Sequence, residues 1–163
     1  MASIDYNEIY SRFFTRVEAY DLIAEEMTED QIVEFLCNWL HASVYEPYIK
    51  RLFKDVSLND DEKTITFELK RSEGEEGDKE YIATLLAYGM VYHWVQPKVN
   101  SITSISQMFS SSDSKWYSQA SHLSELRAIR DDAQYKMRAL VRDRGYVAND
   151  YLDGKAASAN IRG

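Results

Sequence analysis

One thiol, three imidazoles and a short acidic run are the groups in this chain whose types could do chemistry. Cys37 is the only cysteine, which rules out an intrachain disulfide. It sits in Phe35-Leu36-Cys37-Asn38-Trp39-Leu40, an apolar stretch with helical spacing. Burial statistics there favour a small buried hydrophobe. A nucleophilic thiolate would want a His and an electropositive setting. His41, His93 and His122 are scattered, and none belongs to an HxxxH pair, so the spacing points to no zinc site. His93 beside Trp94 and His122 beside Leu123 read as ordinary helix-surface or half-buried residues. Asn59-Asp60-Asp61-Glu62 lacks the rhythm and the glycine of a calcium-binding loop. A Ser/His/Asp triad is assembled in space rather than by spacing, but nothing resembles a nucleophile elbow. The glycine patterns that cradle phosphates are missing too. The residues therefore assign no catalytic group, no metal and no cofactor, and the expectation is a protein that is not an enzyme.

Aromatic side chains are the other notable resource, with 12 Tyr and 3 Trp. Most of them fall at helical spacing and read as core and boundary packing. The functional alternative is a protein–protein interface, where Tyr and Trp are enriched. A nucleobase-stacking platform would need a basic groove, and none is apparent.

Helices must position nearly all of these groups. Ile9, Phe13, Val17, Tyr20 and Ile23 recur at steps of three and four, which predicts a helix over 6–27. Thr28 followed by Gln31 is a capping box opening a second helix that carries Ile32, Phe35, Leu36, Trp39 and Leu40. Pro47 suits the first turn of a short third helix bearing Tyr48, Ile49, Leu52 and Phe53. Val56-Ser57-Leu58 and Thr64-Ile65-Thr66-Phe67-Glu68-Leu69 alternate at period two, predicting a small β-hairpin or extended arm. Residues 72–79 read as a solvated acidic loop. A fourth helix is expected over 79–95, with Gly89 either marking close helix packing or merely tolerated, and Pro97 closing it. A Ser-rich connector over 101–113 follows.

Residues 116–144 read as one amphipathic helix capped by Ser114, with a stripe of Trp116, Ala120, Leu123, Leu126 or Arg127, Ile129 or Arg130, Ala133, Met137, Leu140 and Val141 and Gly145 as its stop. At 1.5 Å per residue it would span about 43 Å, longer than a core of this size easily covers. The expectation is that this rod finds burial against other copies or partners. The segment 153–163 is small and polar and reads as a flexible tail. The fold class expected is mainly α, a helical bundle with a long C-terminal helix and a small middle hairpin, with 1–152 as one domain.

The 163 residues suit one domain, and 45% hydrophobic content suffices for a core. Net charge is −8, unevenly placed. Residues 121–163 hold eight Lys/Arg against six Asp/Glu, a net of +2, so the remainder carries −10. An acidic body argues against general DNA binding. The start has neither a basic region nor an apolar run, and no stretch approaches the ~20 apolar residues of a membrane span, so neither a signal peptide nor membrane insertion is expected.

Three stretches carry a resemblance: Met90-Val91-Tyr92-His93-Trp94-Val95-Gln96-Pro97, then Gln107-Met108-Phe109-Ser110, then Trp116-Tyr117-Ser118-Gln119-Ala120-Ser121-His122-Leu123. Over about half of the chain the pattern resembles tailed-bacteriophage structural proteins of the head–tail neck. The acidic segment 72–80 is longer than usual in that group, and the N-terminal third matches only in helical character. The resemblance implies a connector, or adaptor, subunit of the virion, made in the host cytoplasm. Copies would form a homo-oligomeric ring joining portal to tail or neck proteins, with a lumen that lets DNA pass without specific binding. No active-site residues come with it. The contacts expected are Trp116, Tyr117, Arg138, Arg142, Arg144, Tyr146, Tyr151, Leu152 and Ile161. Two alternatives remain open: another phage assembly role, such as tail terminator, completion or scaffold protein, and a small helical regulatory protein associated with nucleic acid.

Overall fold

The computed structural model describes residues 1–17, 28–106 and 114–147, with side chains described except at 101–106, 114–121 and 145–147. The molecule is mostly helical with a small antiparallel sheet. The elements are β1 (Ala2–Asp5), α1 (Tyr6–Val17), α2 (Glu29–Val44), α3 (Pro47–Lys50), β2 (Phe53–Asn59), β3 (Thr64–Leu69), α4 (Glu75–Ser106) and α5 (Ser114–Val147).

The sheet order is β1-β3-β2, so β3 is central. Ala2 pairs with Phe67 and Ile4 with Ile65 on one side; Val56 pairs with Phe67 and Leu58 with Ile65 on the other. Ile65, Phe67 and Leu69 alternate inward along β3, joined by Ala2 and Ile4 from β1. That period-two face packs on the helices and gives two short strand pairs the partner they need. β1 was not expected. Four residues at a chain start carry too little alternation to declare themselves; only the edge offered by β3 makes them a strand.

α4 is the axis of the fold. Ile82, Ala83, Leu85, Leu86, Ala87, Met90, Val91, Trp94, Val95 and Val99 are buried on several of its faces, as befits a helix enclosed by neighbours. α1 and α2 pack on one side; Phe13 lies between Trp39 and Trp94, with ring centroids 5.7 and 6.2 Å apart. Arg12 forks onto Glu80 at 2.6 and 2.7 Å, tying α1 to α4. α5 runs antiparallel along α4: Tyr81 meets Leu140, Lys136 lies over Tyr88, and Gly89 faces Met137.

Several expectations change. Pro97 does not close the fourth helix; it is exposed, and α4 continues to Ser106. A proline forfeits one helix hydrogen bond at about 3 kcal/mol. Buried Met90, Trp94, Val95 and Val99 on both sides of it outweigh that. The acidic run is not a loop throughout, because Glu75, Glu76 and Asp78 form the first turn of α4, where the helix dipole favours them. Phe53 opens β2 rather than extending the third helix. Gly145 lies inside α5. Most important, the described stripe of α5 is covered by this chain's own α4: Leu123, Leu126, Ile129, Ala133 and Met137 are buried, and Leu140 and Val141 pack against the same core. Contrary to expectation, these residues need no other molecule to bury them. The part of the first helix expected over 18–27, the connector over 107–113 and the tail lie outside the described residues.

Candidate functional site

A polar cluster forms where α2 meets the β2–β3 turn. The capping box at Thr28 is present in both directions and fixes the start of α2, and inward-facing Leu36 and Leu40 set its rotation. Cys37 and His41 follow on the adjoining face, one helical turn apart. Across from them, the turn carries Asp60. Asn59 Oδ1 accepts the backbone N–H groups of Asp61 and Glu62 at 3.2 and 3.1 Å, an Asx-type closure. Lys63 takes the left-handed conformation, φ 54°, and its carbonyl accepts the Tyr6 N–H at 2.7 Å. The turn is thus pinned to the start of α1.

Three donors converge on one oxygen, Asp60 Oδ1: Tyr6 Oη at 2.7 Å, His41 Nε2 at 2.8 Å and Cys37 Sγ at 3.5 Å. The His41 bond, then the Tyr6 bond, hold the Asp60 carboxyl below the usual carboxylate range. Burial, then the hydrogen bond to Asp60, push the Tyr6 phenol far up. The Cys37 thiol is raised for the same two reasons, so it is less reactive than a free thiol and has no sign of an activated nucleophile. Tyr10 completes the surroundings. Its hydroxyl is buried with no hydrogen-bond partner among the described residues. Its pKa is raised by burial first, then by the charges of Cys37 and Asp60. An apolar cleft lined by Tyr10, Phe14, Ile32, Val33, Leu36 and Lys63 separates α1 from α2 beside this cluster. Residues 18–27, which join those helices, lie outside the described residues.

Sulfur, imidazole nitrogen and carboxylate oxygen are the donor types of a borderline metal ion, and here all three lie within 4.8 Å of one another. The sequence reading found no such set. No two histidines are paired in the sequence, and Asp60 stands there only within an acidic run that lacks a calcium loop's rhythm. The readable signal was Cys37 and His41 at i and i+4; Asp60, brought in by the strand pairing, had none.

The residues expected at an interface are not brought into one site. Arg138 is exposed, 5.9 Å from the Tyr48 ring, and Arg142 is exposed and bonded to Asp143 at 3.2 Å. Arg144 is instead an internal clasp, its side chain 9% exposed against Asp78 at 6%. It also donates to the Arg71 carbonyl at 3.2 Å and lies 4.3 Å above the Tyr81 ring. Burial pushes the Asp78 carboxyl up, but bonds from Ser72, the Glu73 N–H and Arg144 outweigh it and hold it low. Trp116, Tyr117 and Tyr146 lie on α5 by backbone only, and Tyr151, Leu152 and Ile161 fall outside the described residues. Among the other histidines, His122 is half-buried and His93 sits beside Glu46 at 3.4 Å. No helix among the described residues is long and apolar enough to cross a membrane. No protein-family model, curated protein or solved structure matches the chain.

Proposed function

We propose that this chain is a non-enzymatic virion subunit of a tailed bacteriophage, a head–tail connector whose copies form a ring between portal and tail. The observation that carries this reading is where the resembling stretches fall. The first lies in the middle of α4 and the third opens α5, so they belong to one antiparallel helix pair rather than to unrelated surfaces. Met90, Val91, Trp94 and Val95 of the first stretch and Leu123 of the third are buried in that unit's core. Such words would preserve a scaffold, and the faces they leave outward would do the joining.

Those outward faces are suitable. Arg127, Asp131, Asp132, Tyr135, Arg138 and Arg142 are exposed along α5. In the sheet, β1 and β2 each pair on one side only among the described residues, and an open edge can accept a strand from an adjacent chain. In a closed ring, each subunit offers two different faces and both become buried. The described part of the apolar stripe of α5, from Leu123 to Met137, contributes nothing to this, being already buried in the chain's own core.

The test is genetic and direct. Disrupting the gene in the phage that carries it should yield separate heads and tails, and immunogold labelling of intact particles should mark the neck. Particles that join normally without the protein, or that lack it altogether, would overturn the proposal.

A further inference from the structure

We propose that Cys37, His41 and Asp60 form a zinc site that fastens the β2–β3 turn to α2. The assignment rests on geometry and donor chemistry and is independent of any role in a virion. Cys37 and His41 share one face of α2, an i,i+4 spacing that lets two side chains of one helix reach a common ion. Asp60 approaches from a turn whose backbone is held by Asn59, Lys63 and Tyr6, so the third ligand is delivered by a fixed loop. Around a tetrahedral Zn²⁺ with bonds of about 2.0–2.3 Å, donor atoms stand roughly 3.5 Å apart. Cys37 Sγ and Asp60 Oδ1 are 3.5 Å apart already, and His41 Nε2 at 2.8 Å from Asp60 Oδ1 must withdraw slightly.

Charge and proton accounting agree with that ion. A thiolate and a carboxylate cancel its two positive charges, and the imidazole binds neutral through Nε2 with its proton on Nδ1. Coordination forms the zinc–sulfur bond and breaks the S–H bond, releasing one proton to solvent. His41 exchanges its hydrogen bond to Asp60 for a bond to zinc, while Tyr6 still donates to the carboxylate and keeps it from swinging away. A hard cation such as Mg²⁺ or Ca²⁺ would find only one oxygen ligand and a sulfur it does not favour.

Tyr10 lies next to Tyr6, with ring centroids 6.0 Å apart. Its hydroxyl is buried, the residue being 8% exposed, and has no partner among the described residues, beside the same cluster. Three protein ligands leave one position of the tetrahedron. A water would complete it.

The full chain, purified reduced and metal-free, should bind one Zn²⁺ per chain in the presence of excess Mg²⁺, releasing one proton. With Co²⁺ it should show a thiolate-to-cobalt charge-transfer band, absent from Cys37→Ser and weakened in Asp60→Asn. Zinc uptake unchanged in both variants would place the metal elsewhere and overturn the assignment. A second measurement needs no variant. Alkylation of Cys37 in the unaltered chain should slow about tenfold or more when Zn²⁺ is added, because a coordinated thiolate is shielded. An alkylation rate indifferent to Zn²⁺ would likewise sink the proposal, whatever the variants do.

Discussion

A Cβ added at position 89 would stand 2.7 Å from both Cβ and Oγ of Ser43. Ser43 is fully buried, and its hydroxyl already donates to the Trp39 carbonyl at 2.7 Å. The nearest obstacle is a Cβ fixed to the α2 backbone, which no rotamer change can move. Gly89→Ala should therefore lower stability, although alanine is the better helix former by about 1 kcal/mol. Overpacking of this kind costs about 1–3 kcal/mol, and a Cβ this close to a fixed Cβ belongs at the upper end, leaving a net loss of up to about 2 kcal/mol in urea denaturation. Pairing it with Ser43→Gly should recover part of the loss, and a stabilised Gly89→Ala would show that the helices do not approach so closely. A glycine amid Leu85, Leu86, Met90 and Trp94 hinted at this contact, but a tolerated glycine would look the same in the sequence. Which residue faces it was not readable, because Ser43 lies in a different helix and carries no mark of burial. Asp78 was equally silent: inside an acidic run it looks solvated, and only the return of α5 covers it.

Between elements, the α4–α5 pair is closed at one end by Arg144 on Asp78, with Tyr81 beneath the guanidinium and donating to the Leu140 carbonyl at 3.1 Å. Both charged side chains are nearly buried, so removing one strands the other. Arg144→Met should cost about 3 kcal/mol, the low end for a broken buried pair, because Ser72 and the Glu73 N–H still serve Asp78. Adding Asp78→Asn to it should restore part of that loss. If the costs of Arg144→Met and Asp78→Asn, measured singly in denaturant melts, simply add in the double variant, the pair carries no coupling. By contrast, Thr28→Ala, which removes the cap of α2, should cost about 1 kcal/mol. The difference in size mirrors the difference in legibility. The Thr28–Gln31 capping box is complete within four residues and was plain in the sequence. The clasp, β1 and the passage of α4 through Pro97 depend on partners far along the chain, where local pattern says nothing.

At the scale of the whole molecule, one apolar cluster contains side chains from every described element, so acid should unfold the chain as a unit. The order in which groups titrate can be worked out. His93 is partly buried, and burial lowers its pKa below 6.5; the Glu46 carboxylate, 3.4 Å away but poorly aligned, opposes the drop without cancelling it. A base whose folded pKa lies below its unfolded one binds fewer protons when folded. Its contribution is complete above about 6.5 and is lost as pH falls from there through the folded value. The Asp78 carboxyl is also held below its ordinary 3.8, and exposed Glu68, Glu75 and Glu80 below 4.5. Their support, small for the exposed three, is full above those values and fades beneath them. The melting temperature should therefore fall in two stages on acidification, a shallow one below about 6.5 and a steeper one below about 4.5. His93→Gln, which cannot take up the proton, should remove the first stage and leave the second. Circular-dichroism melts across that range decide it: a curve as flat for the unaltered chain as for the variant would show that His93 meets solvent in the folded protein as freely as in the unfolded one.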